Sequence, residues 1–148
     1  MNNRLICLEG TLHFEEEIKT QTINMITFKN GQQITLNRDI LPAGSTFFGH
    51  ISQQIGNAER ILNNFNLVKM DEVKDGTFFT DTIQLIYSFS AGPGSDKRVW
   101  QATYSCLISE NEIIKFGSMY PDETSMKNEM HRLHHCARNF EPNTTKLP

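Results

Sequence analysis

No stretch of this 148-residue chain has the ~20 consecutive apolar residues needed to cross a bilayer. The longest patches, such as Ile83 to Tyr87, are broken by a polar residue, here Gln84, so the protein is not expected to be membrane-embedded. The apolar stretch from Leu5 to Leu8 is closed by Glu9 and is too short for a signal-peptide core. Basic charge is not in surplus either. The formal net charge is -3 with both signs interspersed, which leaves no surface to neutralise a phosphate backbone and argues against nucleic acid as a partner. Cysteine is scarce and odd in number, at Cys7, Cys106 and Cys136. That pattern suits reduced thiols in a cytosolic protein better than a disulfide framework.

Chemical motifs are equally sparse. There is no Gly-x-Ser-x-Gly, and no cysteine has a neighbour that marks it as a nucleophile. Ala91-Gly92-Pro93-Gly94-Ser95 is not a phosphate loop, because proline removes a backbone donor and the Gly-Lys-Ser/Thr ending is missing. Glu15-Glu16-Glu17 reads as a solvated turn. His131 and His135 stand one helical turn apart, with His134 between them, and could share an ion. The glutamate of the HExxH pattern is absent, so a solvated helix face is the expectation. We therefore expect no catalytic residue, no metal site and no cofactor, and a binding module rather than an enzyme.

What is present is the patterning of one domain, over residues 1–140, followed by a frayed tail over 141–148 rich in proline and threonine. The first 40 residues read as strands at Arg4 to Leu8, Thr11 to Phe14, Gln21 to Lys29 and Gln32 to Arg38. Asn30-Gly31 predicts a tight hairpin turn, with positive φ angles, between the last two. Ser45 or Thr46 can cap a helix with Phe47, Ile51, Ile55, Ala58 and Leu62 on one stripe. Asn63-Asn64 should end it, since asparagine tolerates left-handed geometry. A strand from Asn66 to Val73, a turn at Lys74-Asp75-Gly76, and a long hairpin of Phe78 to Ser90 with Arg98 to Ser109 follow. After the strand Ile113 to Met119, Pro121-Asp122-Glu123 opens a last helix carrying Met126, Met130, Leu133, Ala137 and Phe140 on one side. Two helices and about eight strands with hairpin-length connections predict an α/β domain of the α+β kind, a mostly antiparallel sheet with helices packed on it.

Alternate residues of a strand face opposite sides, so a sheet wet on one side alternates apolar with charged. Here Ile26 and Phe28 share one face and Ile23 and Met25 the other, with no charge between Thr20 and Phe28. Ile34 and Leu36 oppose Thr35 and Asn37, and Trp100, Ala102 and Tyr104 oppose Val99, Gln101, Thr103 and Ser105. The second sets are uncharged but not oily, and such a surface suits an apolar partner that still needs hydrogen bonds. The alternative is that two helices cover different parts of a curved sheet and leave no face open.

Leu8-Glu9-Gly10-Thr11-Leu12, Gln21-Thr22-Ile23-Asn24-Met25, Ile34 to Asp39, Leu41-Pro42-Ala43-Gly44, the helix from Gln54 to Leu62 and Phe65-Asn66-Leu67 together resemble one family. It is the DcrB-like domain in its Eag form, the adaptor chaperones of type VI secretion effectors. Val99-Trp100-Gln101-Ala102 and the last helix extend the match more thinly. The resemblance implies a curved antiparallel sheet with helices, related to the PsbP and Mog1 architecture, and a homodimer in the bacterial cytoplasm. It implies a chaperone that shields the apolar N-terminal transmembrane segments of a secreted effector and aids its loading onto the secretion spike, reached through the effector. Position by position, the implied effector-helix groove comprises Ile23, Met25, Thr35, Asn37, Gln54, Ala58, Leu62 and Gln101. Exported lipoprotein relatives exist, but no signal peptide or lipidation cysteine is found near this start. An immunity protein holding a cognate toxin, or a small-ligand-binding α/β domain, are the competing readings.

Overall fold

The computed structural model describes residues 2–74 and 78–143. Among these residues the order is β1 (Arg4–Cys7), β2 (Gly10–His13), β3 (Asn24–Thr27), β4 (Gln33–Ile40), α1 (Phe47–Ile61), β5 (Asn66–Glu72), β6 (Asp81–Ser90), β7 (Arg98–Leu107), β8 (Glu112–Tyr120), α2 (Glu123–Glu129) and α3 (His131–Arg138). β1 and β2 form a hairpin of their own, and the other six strands form one sheet in the order β3-β4-β8-β7-β6-β5. Every neighbouring pair is antiparallel. The fold is α+β, as the patterning predicts.

The long hairpin of β6 and β7 pairs from Asp81↔Leu107 to Ser90↔Arg98 without a slip. The β3–β4 turn differs from the expected one. Gly31 N–H donates to Phe28 O (2.9 Å) and Phe28 N–H to Gln32 O (2.9 Å), and only Gly31, not Asn30, has positive φ (90°). The loop is thus three residues long, a turn followed by a left-handed glycine, and Asn30 Oδ1 accepts from Gln32 N–H instead. Thr46 caps α1 by accepting from Gly49 N–H (3.0 Å), and Asn64 takes the left-handed conformation (φ 50°) just beyond the helix. The expected last helix is two. Asp122 caps α2, and Met130 ends α2 and starts α3 while itself remaining right-handed helical. Asp75 and Gly76 of the expected turn, and residues 144–148 of the expected tail, lie outside the described residues.

The two faces of the sheet are covered unequally. On one, Ile34, Phe116, Tyr104, Ala102 and Ile86 pack under Met126, Leu133 and Ala137 of α2 and α3. On the other, Phe47 and Ile51 of α1 pack on Ile83, Leu85, Leu107 and Ile113, all near one end of the strands. Among the described residues, no helix lies over the other end of that face.

A half-covered sheet face and its groove

Where α1 stops covering the sheet, a cavity of about 560 Å³ opens. Its floor follows the alternation of the strands: Thr35 and Asn37 from β4, Lys115, Gly117 and Met119 from β8, Gln101, Thr103 and Ser105 from β7, and Leu85 and Tyr87 from β6. These residues pair across the strands as Thr35↔Gly117↔Thr103, Asn37↔Lys115↔Ser105 and Met119↔Gln101↔Tyr87, so they share one face. Met25, opposite Thr35, forms the outer wall, and Gln54, Ile55 and Ala58 of α1 form the other.

Six of the eight residues implied by resemblance therefore line one cavity: Met25, Thr35, Asn37, Gln54, Ala58 and Gln101. Two do not. Ile23 lies in the segment before β3, half exposed, and Leu62 is the residue that caps the end of α1, its N–H donating to Ala58 O. Gly117, Met119 and Tyr87 were not anticipated. A glycine inside a central strand is a signal of close approach by another group, and a Cβ at 117 would stand 3.2 Å from Thr103 Oγ1 and 3.5 Å from Gln101 Nε2.

The two glutamines differ in what they can offer. Gln54 is occupied: its Nε2 donates to Asp39 Oδ2 (2.7 Å) and its Oε1 accepts from Lys115 Nζ (2.8 Å). Gln101 makes one long contact, from Nε2 to Thr103 Oγ1 (3.5 Å), which leaves most of its hydrogen-bonding capacity for a partner. Gln54 thus braces the groove that it lines.

Asp39 anchors that brace. His50 Nε2 (2.9 Å), Gln54 Nε2 and Lys115 Nζ (3.3 Å) converge on its Oδ2, while Ile40 N–H donates to Oδ1 (2.8 Å). Burial pushes the carboxyl upward, but these four donors outweigh it and hold Asp39 at about 2, below its usual 3.8. A depressed carboxylate stabilises the fold fully above its unfolded value, and that stabilisation is lost as pH falls through the folded one. The whole shift would correspond to roughly 2 kcal/mol, and solvent around a side chain 29% exposed reduces it to about 1 kcal/mol. Asp39→Asn should therefore be less stable than wild type by about 1 kcal/mol at neutral pH, with the gap closing between pH 4 and pH 2. Urea melts of both proteins across that range measure it, and a gap that persists at pH 2 would contradict this account.

The histidines of α3 are dispersed. His134 Nδ1 contacts the buried Tyr104 hydroxyl (3.1 Å), whereas His131 and His135 are exposed. Among the described residues, no three His, Cys, Asp or Glu side chains group as metal ligands. No helix among them is long and apolar enough to cross a membrane.

The sequence pattern of the DcrB family matches residues 9–132, which includes every strand of the groove. The chain belongs to the DcrB family. Among solved structures, this DcrB protein resembles PA94 from Pseudomonas aeruginosa, a protein of unknown function, at 15% identity and a TM-score of 0.67. That match covers 97% of this chain and 98% of PA94, and it shows a shared fold. No curated protein matches the chain significantly.

Proposed function

We propose that this DcrB protein is an adaptor chaperone whose groove holds an apolar helix, the N-terminal transmembrane segment of a type VI secretion effector, in the bacterial cytoplasm. The observation that carries the reading is the open half of the sheet face, where exposed Met25 and Met119 (63% and 54%) flank the neutral polar floor of Thr35, Thr103 and Gln101. Methionine adapts to varied apolar surfaces, and hydroxyl and amide groups can bond to the polar or small positions by which membrane helices meet each other. A chaperone for such a helix needs both, because it must release its client.

Dimensions support a helix as occupant. From Met119 to Lys115 along β8 is four strand steps, about 13 Å, the length of about nine residues of α-helix. A membrane-spanning helix of ~20 residues is ~30 Å long, so one groove shields less than half of it. A homodimer with two grooves would shield most of it, and we include that assembly in the proposal, with loading onto the spike following through the bound effector.

Co-expression with an effector's N-terminal apolar segment tests the reading. Wild type should bring the segment into the soluble fraction, and a Met25→Asp, Gln101→Ala double variant with an unchanged melting temperature should recover about tenfold less, the effect of about 1.4 kcal/mol. Equal recovery by both would place the client elsewhere. Failure of wild type with every membrane-segment-bearing effector, alongside tight binding of a folded toxin domain, would favour the immunity reading.

A further inference from the structure

The groove is asymmetric along its length, and its ends differ in chemistry. Met119 stands at the open end, Met25 midway along the outer wall at the level of Gly117, and Lys115 and Ser105 opposite each other on β8 and β7 at the end that α1 closes. Lys115 is the one charged side chain among the described residues lining the cavity. Its Nζ donates to Gln54 Oε1 and contacts Asp39 Oδ2, which leaves one of three N–H bonds, and Asp39 itself does not line the cavity. Beside it, Ser105 Oγ is 1% exposed and makes no hydrogen bond among the described residues, although a buried hydroxyl without a partner costs about 1–3 kcal/mol. One N–H of the Lys115 ammonium and the Ser105 hydroxyl therefore remain to be accepted at the closed end of a groove that is otherwise neutral.

We infer that Lys115 and Ser105 fix the direction in which a helix lies in the groove, receiving the carbonyls of its C-terminal end. This rests on the reading of the groove as a helix cradle. An apolar helix has no side chain to offer these donors, but its last four carbonyls have no partners within the helix, and the helix dipole makes that end negative. The reversed helix would bring four unpaired N–H groups against an ammonium and leave both sets of donors unsatisfied. The helix accordingly runs from that end past Met25 and leaves the groove at Met119, about nine residues towards its N-terminus.

Disulfide trapping tests this. A Cys7→Ser, Met119→Cys protein is mixed with ten-residue leucine–alanine peptides, about the length that the groove spans, acetylated and amidated, carrying one cysteine near the N-terminus or near the C-terminus. The N-terminal-cysteine peptide should be trapped about fivefold more than the other, the scale of a charge at a helix end. Adding Lys115→Met with Ser105→Ala should remove the preference while both peptides are still trapped, and Lys115→Arg alone should keep it. Equal trapping in the parent protein, or a preference for the C-terminal cysteine, would overturn the inference while leaving the cradle intact. A preference seen only with peptides ending in a free carboxylate would overturn it too, assigning Lys115 to a carboxylate instead. Trapping of neither peptide would remove the inference together with the cradle reading on which it rests.

Discussion

If the groove holds an effector's apolar segment as proposed, Gly117→Leu should cut recovery of that segment at least tenfold while the fold survives. The floor of the groove at Gly117 is flanked by Thr35 and Thr103, and a bare methyl there already meets Thr103 Oγ1 at 3.2 Å and Ala102 O at 3.7 Å. Alanine needs a shift of a few tenths of an ångström, which a threonine rotamer can supply. Leucine cannot stay within the floor, so its side chain rises into the space where a helix would rest. The backbone at 117 has no left-handed φ, so a side chain brings no backbone strain, and strand propensity even favours it. Co-purification of an effector's apolar segment by Gly117→Ala and Gly117→Leu, with a thermal melt of each, separates a filled groove from a failed fold. Undiminished recovery by Gly117→Leu would mean that the client does not touch β8.

Leu133→Ala should produce the largest loss of stability of any variant considered, about 2–5 kcal/mol. Leu133 is fully buried on α3 and packs in the same cluster as Ile34, Phe116, Tyr104 and Met126, so its removal leaves a cavity under α3, against β7 and β8. For a domain of this size each kcal/mol moves the melting temperature by about 2–4 °C, which makes the change plain in a calorimetric scan. Leu62→Ala, at the half-buried end of α1, should move it by far less. The two leucines look alike in sequence and differ in how completely their neighbours surround them. A loss under 1 kcal/mol at Leu133 would contradict the packing described.

Alternation along strands and the stripe along α1 are local properties, and so the antiparallel hairpins, the start and end of α1 and the facing of Thr35, Asn37 and Gln101 were legible in the sequence. The extent to which α1 covers its face was not. That depends on where Leu41 and Phe47 anchor the start of the helix against Ile113 and Leu107, contacts between residues far apart in the chain. The occupied state of Gln54 was hidden for the same reason, since its partners Asp39 and Lys115 come from two different strands. Asn30-Gly31 predicted a two-residue turn from composition, but the pairing of Thr27 with Gln33 leaves three residues between Phe28 and Gln32, and register decided the turn. Ile23 shares the parity of Met25, yet β3 begins after it, so parity no longer places its side chain.

The walls of the groove differ in how the sheet holds them. β3, which carries Met25, is a four-residue edge strand bonded only to β4, whereas β7, which carries Gln101, is bonded along its length by β6 and β8. Opening of an edge strand breaks one ladder and exposes little core. Amide hydrogens at Asn24 and Ile26, which face β4, should thus exchange with deuterium far sooner than those at Ala102 and Tyr104. The groove has one stiff jaw and one soft one, and the soft jaw is free to adjust to the width of whatever the groove holds.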